Sequence, residues 1–111
     1  PVLSTPIVPV PVAVTPKPVS QTKVFNISGT NYAYTPSEIR VKKGDTVTIN
    51  FTSVSEHHDF VIDVFDVQTG EVGEDKTASV TFVADMTGIF EYYCTVGIHR
   101  ALGMEGKLIV E

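Results

Sequence analysis

The chain has 111 residues, 13 acidic against eight basic, for a formal charge of −5 and an isoelectric point near 5.0. That length holds one domain with a modest core, and the acidic balance argues against a nucleic-acid partner, which would need a basic face. Hydrophobic residues at 42% and charged ones at 19% are ordinary for a globular fold. No apolar run is long enough to span a bilayer, and no signal peptide is visible. The opening on Pro1 rather than Met is read as the mark of a processed or trimmed form.

Composition changes near residue 20. Six of the seven prolines (Pro1, Pro6, Pro9, Pro11, Pro16 and Pro18) fall in the first eighteen residues, among Val, Ala and Thr. Proline fixes φ and lacks a donor, so residues 1–20 are expected to be extended rather than helix or central strand. Two readings stay open: a stiff tether to a membrane anchor, or an arm packed along the body. Residues 21–111 form the expected domain.

From Thr22 the sequence is strand-like throughout. Val24–Ile27, Ile39–Lys42, Thr46–Phe51, His58–Val64, Ala78–Val83, Ile89–Tyr93 and Lys107–Val110 are short runs rich in β-branched and aromatic residues, bounded by Gly, Asp and Pro. Several alternate polar with apolar, as half-buried strands of an antiparallel sandwich do. Residues 65–75 are the place for a turn or short helix. The expectation is an all-β sandwich of about seven or eight strands in two sheets.

Cys94 is the single cysteine, which excludes an intrachain disulfide and leaves the redox compartment open. A lone cysteine is usually a buried, inert one. Here, however, it starts Cys94-x4-His99-x4-Met104, a thiolate, an imidazole and a thioether at equal spacings on one loop. Soft donors of that kind suit copper better than calcium or magnesium. A second histidine is available at Ser55-Glu56-His57-His58-Asp59-Phe60. Adjacent strand residues point to opposite faces, and His58 shares parity with Phe60, Ile62 and Val64. His58 is therefore the expected ligand, and His57 its solvent-facing neighbour, whose carbonyl could still approach the metal. Two His, one Cys and a weak axial Met form the ligand set of blue copper electron-transfer sites.

These residues sit within a wider pattern. Ile39 to Val47 reads Ile-x-Val-x-x-Gly-Asp-x-Val, His58-Asp59-Phe60 reads His-x-Phe, and Gly88 to Cys94 reads Gly-x-Phe-x-Tyr-x-Cys. With them, residues 22–111 resemble the cupredoxins, the single-domain type 1 blue copper proteins of the auracyanin and rusticyanin kind. The resemblance implies a Greek-key β-sandwich binding one copper per chain through His58, Cys94, His99 and Met104. It also implies an extracytoplasmic electron carrier, periplasmic or at the cell surface, that works as a monomer. Its partners would be redox proteins such as cytochromes, oxidases or reductases, docking briefly at the His99 edge beside Ile98, Ala101, Leu102 and Arg100.

Two departures stand out. Where the family usually has Cys-x-x-Pro-Gly-His, this loop reads Cys94-Thr95-Val96-Gly97-Ile98-His99. Losing the proline and gaining Gly97 is expected to loosen it, and Ile98 to alter the docking patch or shield His99. Asp59 stands where the family often has Asn or Ser, and is expected to bridge to the Thr95 region and lower the potential. Rival functions fit less well. A copper enzyme needs further histidines and only His57 remains, a binuclear site needs two cysteines, and a storage protein needs more than two Met.

Overall fold

A computed structural model of the chain describes residues 20–111, so the Pro-rich arm expected over residues 1–20 lies outside the described residues except for Ser20. Among the described residues nine strands run in order: β1 (Thr22–Thr30), β2 (Ala33–Thr35), β3 (Glu38–Val41), β4 (Thr46–Ser53), β5 (Val61–Ile62), β6 (Val67–Gln68), β7 (Thr77–Val83), β8 (Gly88–Tyr93) and β9 (Glu105–Val110). They form two mixed sheets, of order β2-β1-β4-β7 and β3-β9-β8-β5-β6. The architecture is all-β, as expected. The higher strand count comes from β2 and β6, which at three and two residues are too short to carry a readable alternation.

Period-2 patterning places the core. β4 alternates half-buried with buried along its whole length, sending Val47, Ile49, Phe51 and Ser53 inward. β9 does the same from the facing sheet with Leu108 and Val110. Both parallel pairs, β1 with β4 and β3 with β9, are joined by crossovers between the sheets, and the remaining ladders are antiparallel. At the upper end of the sandwich, Tyr34, Phe51, Phe60 and Tyr92 form an aromatic cluster with centroids 4.8–6.1 Å apart, mostly edge-on or tilted. That rigid cluster is the floor on which the site is built.

The stretch expected as one strand over His58–Val64 is corrected. Only Val61–Ile62 is strand, and the chain then turns through a short 3-10 segment at Asp63–Phe65. His58, Phe60 and Ile62 are buried as the parity argument required, but so are Asp59 and Val61, while Val64 is 47% exposed. The physical reason is that this crossover runs over the end of the sandwich. It touches protein on both sides there, and simple alternation fails.

Candidate metal centre

Two long-range pairings and the closure of the Cys94 loop bring the candidate residues together. Val61 pairs with Tyr93, setting the His58 segment beside the end of β8 where Cys94 begins its loop. His58 is held from its other side by a two-way backbone bridge to Val72, with N–O distances of 3.1 and 2.7 Å. Cys94 donates its amide to the Met104 carbonyl at 3.3 Å, and Met104 donates to the His99 carbonyl at 3.1 Å. The loop therefore closes on itself just before β9.

Gly97 is the pivot of that loop. Its φ of 50° lies in the left-handed region, where a side chain is strained, and His99 donates to the Val96 carbonyl across it at 3.0 Å. Gly97 at the place of the usual proline thus supplies a specific turn conformation rather than mere slack.

His58, Cys94 and His99 converge with their ligand atoms all within 4.8 Å of one another. The two Nδ1 atoms are 3.1 Å apart, and the Cys94 Sγ lies 3.6 Å from His99 Nδ1 and 4.0 Å from His58 Nδ1. An ion about 2.0 Å from each nitrogen and about 2.3 Å from sulfur in one plane would need edges of about 3.5 Å and 3.7 Å. The two sulfur–nitrogen edges, 3.6 and 4.0 Å, bracket their length, and the nitrogen–nitrogen edge of 3.1 Å is the shorter side. Burial first, and the facing His99 ring second, hold the His58 pKa below its ordinary value, so its nitrogen lone pair is free to ligate. Its Nε2 is buried with no hydrogen-bond partner among the described residues, which leaves Nδ1 as the atom turned to the site. Burial pushes the Cys94 thiol up, with the backbone amides of Asp59 and Val96 working the other way. A cation in the triangle would displace that proton, as metal binding to thiols does. The donor set fits a soft or borderline ion.

Met104 is fully buried beneath the loop. A β-carbon on Gly29 of β1 would stand 3.0 Å from Met104 Cε and 2.7 Å from Phe51 Cζ, so glycine there lets the strand approach the thioether closely.

Around the triangle, Asp59 is 94% buried (6% exposed) and both its oxygens accept from Thr95. One accepts the backbone amide at 2.6 Å and the other the hydroxyl. The Asp59 carbonyl accepts from Tyr34 Oη at 2.6 Å, tying the bridge to the aromatic floor. Phe60 is fully buried, and His57 is exposed, with Nδ1 3.4 Å from Glu71. Of the three converging residues, His99 alone is only partly buried. The Tyr32 ring leans on it at 4.8 Å, and Ile98, Ala101 and Leu102 are exposed next to it. Arg100 lies over the Tyr93 ring at 3.9 Å and pairs with Glu91. Tyr32 was missed in the sequence, because nothing local marks a residue 67 positions before His99 as its neighbour.

The profile of the copper-binding proteins of the plastocyanin/azurin family matches residues 21–111. The chain belongs to the cupredoxin family of copper-binding proteins. His58, Cys94, His99 and Met104 of this cupredoxin are positioned as a type 1 copper site. Over 84 residues it is 39% identical to a nitrous-oxide reductase of Ralstonia nicotianae, a match covering 71% of this chain but 13% of that one. A halocyanin of Natronomonas pharaonis is 38% identical over 92 residues, 79% of this chain and 54% of its own. The cupredoxin thus spans about an eighth of the reductases it matches and about half of the halocyanin. Auracyanin A, a blue copper protein of Chloroflexus aurantiacus, superposes with a TM-score of 0.72 over 81% of this chain and 99% of its own. Its identity is 24%, so it speaks for the fold.

Proposed function

We propose that this cupredoxin is a type 1 copper electron carrier, in which His58, Cys94, His99 and Met104 would hold one copper, with the His99 edge as electron exit. The observation that carries this reading is the burial gradient across the donors: His58 and Cys94 buried, His99 alone reaching toward the surface. Copper bound there supplies a one-electron Cu(II)/Cu(I) couple.

The rest is the work of the chain. The aromatic floor and the Asp59–Thr95 bridge hold His58 and the Cys94 loop at fixed separation, which keeps rearrangement between oxidation states small. Burial of His58, Cys94, Phe60 and Met104 excludes water and leaves no room for a substrate, which supports a carrier rather than an enzyme. Ile98, Ala101 and Leu102 offer the small apolar surface suited to brief contact with a redox protein such as a cytochrome, an oxidase or a reductase. We take residues 21–111 as the working domain, monomeric and extracytoplasmic (periplasmic or at the cell surface), with residues 1–20 as an arm or tether to a membrane.

The reductase relatives favour one other reading, a copper domain cut from a larger enzyme. Against it, the one cysteine of residues 1–111 cannot supply a binuclear centre that needs two.

The test is the visible and EPR spectrum of the Cu(II)-loaded protein. An intense thiolate-to-copper band with narrow hyperfine splitting is expected. A pale protein with wide splitting would mean that Cys94 is not a ligand, and the carrier reading would be lost.

A further inference from the structure

The outer face of the β2-β1-β4-β7 sheet carries no charge along its three long strands. Alternation turns every second residue outward over 22–28 of β1, 46–52 of β4 and 77–83 of β7, and these twelve positions stand in register. Ten are Thr, Ser or Asn and two are Val. The other sheet, by contrast, carries Glu38, Arg40, Glu91, Glu105 and Lys107 on its strands.

Two of the chain's three asparagines lie on this uncharged face, and each opens an Asn-x-Ser/Thr tripeptide: Asn26-Ile27-Ser28 and Asn50-Phe51-Thr52. That tripeptide is the acceptor signal for N-linked glycans. It is short enough to recur by chance, so its setting decides. Residues two apart on a strand point the same way, which puts each asparagine and its hydroxyl partner side by side on the open face. The two sites are not equivalent. Asn50 is half-buried between β1 and β7, its Oδ1 accepting from Ser79 Oγ at 2.6 Å and its Nδ2 donating to Asn26 Oδ1 at 3.1 Å. Asn26 is exposed and ends that row, entering it through Oδ1 as acceptor. Moreover, β2 pairs with β1 only at Ser28–Thr30, so among the described residues no strand covers the edge of β1 beside Asn26. Its Nδ2 can be approached from the front and from the side.

Resting on the extracytoplasmic reading, we propose that Asn26 is an N-glycosylation site and that Asn50 is not. The donor is a lipid-diphosphate-linked oligosaccharide. Asn26 Nδ2 bonds to the anomeric carbon of the first sugar as the bond from that carbon to the phosphate oxygen breaks. The lipid diphosphate leaves with the electron pair, Nδ2 gives up one proton, and nothing is oxidised or reduced. The surrounding hydroxyls and amides offer donors and acceptors to sugar hydroxyls with no ionised group to desolvate. Asn26 is also three residues from Gly29, roughly 10 Å along β1, and points to the opposite face from the one Gly29 turns toward Met104. The glycan therefore leaves the His99 edge clear.

Mass spectrometry of the full chain isolated from the cells that make it tests this. Trypsin separates the two sites, into peptides 24–40 and 44–76. Peptide 24–40 is expected to carry whole sugar residues on Asn26, and peptide 44–76 to keep its sequence mass. Asn26→Gln and Ser28→Ala, expressed in the same cells, should each lose the modification, while Ser28→Thr and Asn50→Gln should keep it. The visible spectrum after copper loading should be the same for all four variants. A bare peptide 24–40 in protein from the extracytoplasmic fraction, or sugar on Asn50 in place of Asn26, would overturn the proposal while leaving the carrier intact. Recovery in the cytoplasmic fraction with a bare peptide would overturn the proposal and the assigned location together. Loss of the blue band in otherwise glycosylated protein would overturn the carrier alone.

Discussion

Replacing Asp59 by Asn isolates a charge from a hydrogen-bond bridge. In the native protein both carboxylate oxygens accept from Thr95, and the residue is 6% exposed, so solvent screens it little. Asparagine keeps one oxygen for the Thr95 amide and offers its NH2 group to the hydroxyl, so the bridge survives. What is lost is one negative charge beside the thiolate. At an effective dielectric of about 20 and a separation on the order of 6 Å from the metal position, that charge contributes about 2.8 kcal/mol. It favours Cu(II) over Cu(I), and for one electron about 2.8 kcal/mol corresponds to about 120 mV. Compensation by the Thr95 dipoles reduces the figure, so the expected rise in reduction potential is about 50–120 mV. Spectroelectrochemical titration measures it, with EPR confirming that the copper geometry is unchanged. A potential that stays within about 20 mV of wild type, or falls, would refute the claim that Asp59 acts through its charge.

Other outcomes follow from the same geometry. Gly29→Ala places a methyl 2.7 Å from Phe51 Cζ and 3.0 Å from Met104 Cε. It should cost about 1–3 kcal/mol in urea unfolding and shift the balance of the copper absorption bands, whereas a wild-type spectrum would show that Met104 is not pressed against β1. Asp45, buried in the turn before β4, has a pKa lowered to about 2, chiefly by its bond from Lys23 and then by the Lys42 amide. Because the folded pKa lies below the unfolded value of about 3.9, this contribution is present above that value and disappears as pH falls through about 2. Wild type should therefore exceed Asp45→Asn in stability near neutral pH, and the gap should close on acidification; a gap independent of pH would assign the effect to packing. Ile98 is 68% exposed beside His99, so Ile98→Gly should change the electron self-exchange rate measured by NMR line broadening, and an unchanged rate would remove Ile98 from the docking face.

Much of this protein is determined locally. The alternation in Thr46–Ser53 and Glu105–Val110 marks their buried faces, because a strand packed on one side sends every second residue inward. Cys94, His99 and Met104 are legible as a group because eleven residues of one loop contain them all, and the acidity of residues 54–76 can be counted from the sequence. Tertiary structure decided the rest. His58 could be separated from His57 by parity, yet the burial of Asp59 and the turn at Val64 depend on a crossover wedged between β8 and Val72, 14 residues beyond His58. The Asp59–Thr95 bridge spans 36 positions and the Tyr32–His99 contact 67. Neither leaves a periodic trace, since each side chain is set by a partner from a different sheet edge or loop.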